Sequence, residues 1–209
     1  MLEIECVKNQ IADENTYFIF NEQTTLIVDP GSDEEVLLKT LKKINRQPGA
    51  ILLTHTHYDH IMGVECLRRT ADFPVYVSVK EEKWLFTPNL NLSGLLRHAS
   101  IKNVIVNKAN EFFIEDKEYT IGGITFKVIA TPGHTVGGVS FVFDNFVLTG
   151  DVLFKGTVGR TDLPTGDLDQ LLASIQKKLF NLSEDLIVFP GHAKATTIGQ
   201  EKRENSFFQ

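Results

Sequence analysis

The chain has 209 residues, 42% hydrophobic and 23% charged, which places it among globular proteins able to bury a core rather than among disordered ones. Twenty-seven acidic against 21 basic residues give a formal charge of −6, and no concentrated basic run offers a face for nucleic acid. Met1-Leu2-Glu3-Ile4-Glu5 has no basic and apolar leader and no apolar stretch reaches bilayer length, so a cytoplasmic protein with no membrane partner is expected.

In chain order, β-branched and aromatic residues predict strands over 2–7, 16–21 and 24–28, with Asn21-Glu22-Gln23 as a hairpin link. Asp29-Pro30-Gly31-Ser32 stops the third strand and starts a helix, with Ser32 or Asp33 as N-cap and Val36, Leu37, Leu41 and Ile44 as its apolar face. Pro48-Gly49 ends that unit, and Ala50-Ile51-Leu52-Leu53 reads as a buried strand. A second helix follows through Ile61, Val64, Glu65 and Leu67, then a strand over 73–78. Residues 79–103 read as a short helix and a loop, with Trp84 and Phe86 as packing residues and His98 at a surface or helix end. The two cysteines, Cys6 and Cys66, fall in a strand and a helix, which argues against a disulfide framework or a thiolate zinc site.

From Val104 onward strands dominate. Gly122-Gly123 joins strands over 119–121 and 124–129, and Asp144-Asn145 joins strands over 139–143 and 146–148. A helix over 167–179, a buried strand over 186–189 and a polar helix near 198–205 complete the chain. Two mixed sheets packed face to face with helices outside, in one domain, would cover so many apolar strands.

Histidine is scarce, with six in the chain, and five lie in loops that look built for ligation. His55-Thr56-His57-Tyr58-Asp59-His60 sets three imidazoles and a carboxylate within six positions, directly after the apolar strand. Thr131-Pro132-Gly133-His134 and Phe189-Pro190-Gly191-His192 repeat a strand, Pro-Gly, His pattern, and Thr149-Gly150-Asp151 puts a carboxylate after another apolar run. Imidazole and carboxylate together suit zinc, iron or manganese, and strand ends supply the rigidity that a metal cage needs. Seven such groups exceed what one tetrahedral zinc can use.

These motifs, in this order, resemble the metallo-β-lactamase-fold hydrolases. Gly150-Asp151-Val152-Leu153-Phe154, Gly159-Arg160-Thr161-Asp162-Leu163-Pro164 and Thr196-Thr197-Ile198-Gly199 resemble the short glyoxalase II-like, or hydroxyacylglutathione hydrolase-like, branch. Longer glyoxalase II enzymes add a C-terminal helical domain, which this sequence, read to Gln209, is expected to lack. The resemblance implies an α+β fold, an αββα four-layer sandwich, with two divalent ions, zinc foremost. His55, His57 and His134 would hold one ion, Asp59, His60 and His192 the other, and Asp151 would bridge them.

A metal-bridging hydroxide, oriented by Asp59, would then attack a small-molecule acyl compound, foremost a thioester, whose thiolate leaves without an acid catalyst. Asp29 is expected behind a ligand histidine, and Arg160, Lys155 and Tyr58 are expected near substrate. Arg160 has a structural alternative, a salt bridge to Asp162 or Asp167. The related persulfide dioxygenases keep similar motifs around a single iron and form the alternative reading. A lactamase fits less well, since those enzymes generally lack the bridging aspartate and often use a cysteine ligand in its place, whereas Cys6 and Cys66 lie outside every ligand loop.

Overall fold

Asn21 closes the hairpin between the second and third strands by chemistry rather than by glycine. Its Oδ1 accepts the N–H groups of Gln23 (2.8 Å) and Thr24 (2.7 Å), so the side chain substitutes for backbone in the turn. Around that turn β1 (Glu3–Lys8), β2 (Asn15–Phe20) and β3 (Thr24–Val28) form an antiparallel meander. This computed structural model describes residues 2–94 and 102–209; His98 lies outside the described residues. They fall into two compact units, the first running to Phe113 with Thr120–Ile124, the second holding Ile114–Tyr119 and Thr125–Gln209.

In the first unit β3 leads into α1 (Glu34–Ile44). Asp33 occupies the N-cap but does not cap with its carboxylate, which instead accepts from Ser32 Oγ (2.9 Å) and the Gln10 N–H (3.3 Å). Glu34 and Glu35 in the first turn and Lys42 and Lys43 in the last complement the helix dipole. Asn45 ends the helix in a left-handed conformation. Leu37, Thr40 and Ile44 are its buried face; Val36, expected on that face, is 43% exposed.

The chain returns as β4 (Gln47–Leu52), parallel to β3. Pro48-Gly49, expected to precede the strand, lie inside it at a register shift, where a bulge spares proline a ladder donor. A Cβ on Gly49 would sit 2.6 Å from Thr24 Cγ2, so glycine lets the neighbouring strand approach.

The helix expected after the histidine motif is two pieces, α2 (Tyr58–Ile61) and α3 (Val64–Thr70). The break falls at Gly63, whose N–H bonds Pro30 O at 2.8 Å and where a Cβ would meet Leu37 Cδ1 at 2.6 Å. Close packing against the segment before α1 thus interrupts the helix. Parallel strands β5 (Val75–Val77) and β6 (Glu111–Phe112) complete a six-stranded sheet ordered β1-β2-β3-β4-β5-β6. Phe18, Ile27, Ile51, Leu53, Ile61 and Leu67 share one buried cluster, each contributing roughly 1.5–3 kcal/mol by burial. Leu53 and Ile61 bracket the histidine motif, so the core anchors it at both ends.

The second sheet is also six-stranded and mixed. It comprises β7 (Glu118–Ile121), β8 (Ile124–Ala130), β9 (Val139–Val142) and β10 (Phe146–Gly150), then, after the short hairpin β11 (Leu153–Phe154) and β12 (Thr157–Val158), β13 (Ile187–Pro190) and β14 (Thr196–Thr197). Its order is β14-β13-β10-β9-β8-β7, with β10 and β13 parallel. Gly122 and Gly123 both take positive φ, as a tight two-residue turn demands. Helix α4 (Leu168–Lys177) is capped by Asp167, whose side chain accepts the Gln170 N–H, and α5 (Ile198–Glu204) by Thr197. Leu171 and Ile175 of α4 pack with Ile129, Val147 and Val188 of the sheet.

Candidate metal-ligating groups

In the first unit β4 delivers the chain into a loop, and His57, extended at ψ 149, is the N-cap position of α2. One helical turn then carries Asp59 and His60. His55, His57, Asp59 and His60 are all buried. The ring of His55 lies 4.7 Å from that of His57 and 4.1 Å from that of His60, centroid to centroid. Buried imidazoles this close would repel one another if protonated; as neutral rings they form a donor set for a cation.

Asp29 orients two of those rings. Its Oδ2 lies 3.1 Å from His60 Nδ1 and accepts the Thr54 hydroxyl, while Oδ1 accepts the Thr54 N–H at 2.7 Å. With its proton given to Asp29, Thr54 Oγ1 has only lone pairs for His55 Nδ1, 3.1 Å away. Both imidazoles are therefore protonated at Nδ1, and both keep the Nε2 lone pair for an ion. Ligand atoms of Asp29, His55 and His60 lie within 4.8 Å of one another. Asp29 adopts φ 48, a left-handed conformation that costs energy for a non-glycine residue and that aspartate tolerates better than most.

In the second unit three strands end in the other three groups. After β8, Gly133 takes φ 135, and a Cβ there would run into the Leu171 backbone of α4. Helix α4 holds the turn from outside: Asp167 N–H bonds Gly133 O at 2.8 Å and Ser174 Oγ bonds Pro132 O at 2.7 Å. This turn aims His134, whose Nδ1 lies 2.7 Å from Arg160 O. A carbonyl can only accept, so Nδ1 carries the proton and Nε2 is the ligand nitrogen.

Parallel strands β10 and β13 end together, with Gly191 N–H on Gly150 O at 2.8 Å, and this places Asp151 beside His192. Asp151 Oδ2 lies 3.5 Å from His134 Nε2 and 3.4 Å from His192 Nε2. Two ligands each bound at about 2.1 Å with a tetrahedral angle stand about 3.4 Å apart, so either pair matches the two edges of a zinc-type coordination sphere. An oxygen placed symmetrically between two imidazoles suits a carboxylate shared by two ions. The donor set fits divalent metal.

Arg160 is exposed, and its Nε and Nη2 donate to the two carboxylate oxygens of Asp162, each at 2.7 Å. Lys155 is exposed at the tip of the β11–β12 hairpin. Tyr58 is half-buried, with its N–H on Asn91 O at 2.9 Å. Sequence reading missed three buried carboxylates. Glu14 Oε1 lies 4.0 Å from His60 Nδ1, Glu81 accepts from Thr56, and Glu201 accepts from Thr196, Gly156 and Asn205. Glu81 sits in the charged run Lys80-Glu81-Glu82, which reads as a solvated face, and nothing local marks it as interior.

The fold is the α+β fold expected from the sequence, and the comparisons identify its family. The metallo-beta-lactamase superfamily matches residues 12–192. A probable metallo-hydrolase of Streptococcus pyogenes is 47% identical over 211 residues, covering 100% of this chain and 91% of that protein. The hydroxyacylglutathione hydrolase GloC of Haemophilus influenzae is 33% identical, covering 99% and 98%. Among solved structures, the BLEG-1 B3 metallo-beta-lactamase superposes with a TM-score of 0.94 at 40% identity, covering 99% of this chain and 100% of that one. TTHA1623 in a di-iron-bound form gives 0.85 at 33% identity, covering 97% and 99%.

The chain belongs to the metallo-β-lactamase superfamily. Its metallo-hydrolase relatives and its His and Asp groups support a metal-dependent hydrolase that uses divalent ions. Among the described residues, no helix is long and apolar enough to cross a membrane.

Proposed function

We propose that this protein hydrolyses thioesters, foremost hydroxyacyl conjugates of a small thiol, with two divalent ions. His55, His57 and His134 would hold one ion, Asp59, His60 and His192 the other, with Asp151 shared. The observation that carries this reading is the placement of Asp151 Oδ2 between His134 and His192 at matched distances. The relative named hydroxyacylglutathione hydrolase supports the substrate class, and the di-iron form of TTHA1623 supports the count of two. A cytoplasmic setting with a small-molecule substrate accords with this reading.

When bound, such a pair of ions supplies Lewis acidity and lowers the pKa of coordinated water to about 7. The protein's own groups do the rest. The Asp29–Thr54 relay holds the tautomers of His55 and His60, and Arg160 O holds that of His134. Asp59 would accept a hydrogen bond from the attacking hydroxide and fix its direction toward the acyl carbon. The leaving thiolate, whose conjugate acid has a pKa of about 8.5, is a weak enough base to depart without an acid beside it. Lys155 and the Arg160–Asp162 pair would meet the polar part of the thiol half.

The test is release of thiol from S-lactoylglutathione and other S-lactoyl thiols by zinc-loaded protein, with His57→Ala as control. Equal, background-level release by both proteins would remove the thioester assignment. The 40% identical neighbour described as a B3 metallo-beta-lactamase favours a second reading, opening of a β-lactam amide by the same groups. A chromogenic cephalosporin in the same panel separates the two. One iron per chain with persulfide-dependent oxygen uptake would replace both.

A further inference from the structure

The segment after β5 contacts three successive residues of the first unit's ligand loop. Glu81 Oε2 accepts the Thr56 N–H at 2.8 Å and the Thr56 hydroxyl at 3.0 Å. Three residues on, the Trp84 ring stacks on the His57 ring at 6.2 Å between centroids and 24° between planes. Seven residues further, Asn91 O takes the Tyr58 N–H. The segment is itself held in shape: Glu81 N–H bonds Ser78 O, Trp84 N–H bonds Glu81 O, and Asn91 Nδ2 donates to Trp84 O at 2.9 Å and Val104 O at 3.0 Å. Thr56, His57 and Tyr58 are thereby each fixed from a different point of one brace.

Glu81 is the costly member. It is fully buried, and an interior carboxylate is kept only where its oxygens are well used. Its two bonds end on the residue between two histidines, so a shift of Thr56 turns His55 and His57 apart together. His55 is also held by Thr54, which Asp29 fixes in turn.

We propose that Glu81 is a positioning residue for metal binding: through Thr56 it locks the relative orientation of His55 and His57. This rests on the metal-site reading above. Outer partners of metal ligands typically govern affinity by about 10–100-fold, and here one carboxylate serves two ligands at once.

The experiment measures zinc affinity by chelator competition, the visible spectrum of the cobalt(II)-substituted protein, and melting of metal-free and zinc-loaded forms. Glu81→Ala is expected to weaken zinc binding about 10–100-fold and to alter the cobalt bands. Glu81→Gln keeps an oxygen for Thr56 and should recover part of that loss. Thr56→Val, nearly isosteric, removes one of the two bonds from the other side and should weaken zinc several-fold, which covers the case where Glu81→Ala does not fold.

Zinc affinity within about threefold of wild type in Glu81→Gln and Thr56→Val, with both forms melting lower by the same amount, would show a packing role and overturn the proposal. Wild-type protein that binds no divalent metal would overturn it together with the metal-site reading. Wild type that binds zinc but releases no thiol would overturn only the thioester reading, and the order of variant affinities would still decide the role of Glu81.

Discussion

The two units solve one problem, aiming imidazoles, by different means. In the first, four metal-capable side chains come from six consecutive residues, and buried carboxylates hold them from behind: Asp29 behind His55 and His60, Glu81 behind Thr56. In the second, three separate strands supply one group each. Backbone does the aiming there, through the Arg160 carbonyl on His134, the Gly133 turn under α4 and the Gly150–Gly191 bond between parallel strands. A tight local loop crowds its ligands and needs charge to order them. Ligands spread over strand tips inherit their order from the sheet. The first unit should therefore be sensitive to isosteric changes of charge, and the second to changes of backbone.

His57→Ala removes a ligand outright and should show the largest effect. A fall of more than about 100-fold in thiol release is expected, beyond the range of outer partners. Next, Asp29→Asn tests the charge-held half. Asparagine tolerates φ 48 and can still accept the Thr54 N–H, but its NH2 would then face His60 Nδ1. Donation there moves the imidazole proton to Nε2 and blocks the ligand lone pair. Zinc affinity should drop about 10–100-fold while the metal-free protein melts near wild type. An unchanged affinity would erase the proposed contrast.

Gly133→Ala tests the backbone-held half. Its Cβ meets the Leu171 backbone at a φ that alanine disfavours, so stability should fall by about 1–3 kcal/mol even without metal. That amounts to about 2–4 °C in melting temperature per kcal/mol for a chain of this length. A metal-free melting point equal to wild type would show that the turn gives way freely. The smallest effect is expected for Asn205→Ala, away from the ligands. It removes donors to Thr157 O (3.0 Å) and Glu201 Oε2 (2.8 Å), and should cost about 1 kcal/mol with zinc affinity unchanged.

What was legible in the sequence followed from local physics. Alternating β-branched and aromatic residues marked β1, β2, β3, β8 and β13 to within a residue or two, because a strand face reports its own burial. The two-residue strands β6, β11, β12 and β14 carry too little pattern to show periodicity. The split between α2 and α3 was hidden because Gly63 breaks the helix through what it packs on, the segment at Pro30 and Leu37. Val36 fits the apolar periodicity of α1 yet faces solvent, since periodicity gives a face and not its width.

The sequence by itself determined the chemistry on offer: imidazoles and carboxylates in loops at strand ends, and a family signature strong enough to name the fold. Only tertiary structure decided which nitrogen of each ring can bind an ion, because that depends on Asp29 reaching His60 and Thr54 from 31 and 25 residues away, and on Arg160 O reaching His134 from 26. It also decided that Glu14, Glu81 and Glu201 are interior. A carboxylate carries no local mark of burial; its surroundings are supplied by chain that returns from elsewhere, and they set both its energy and its use.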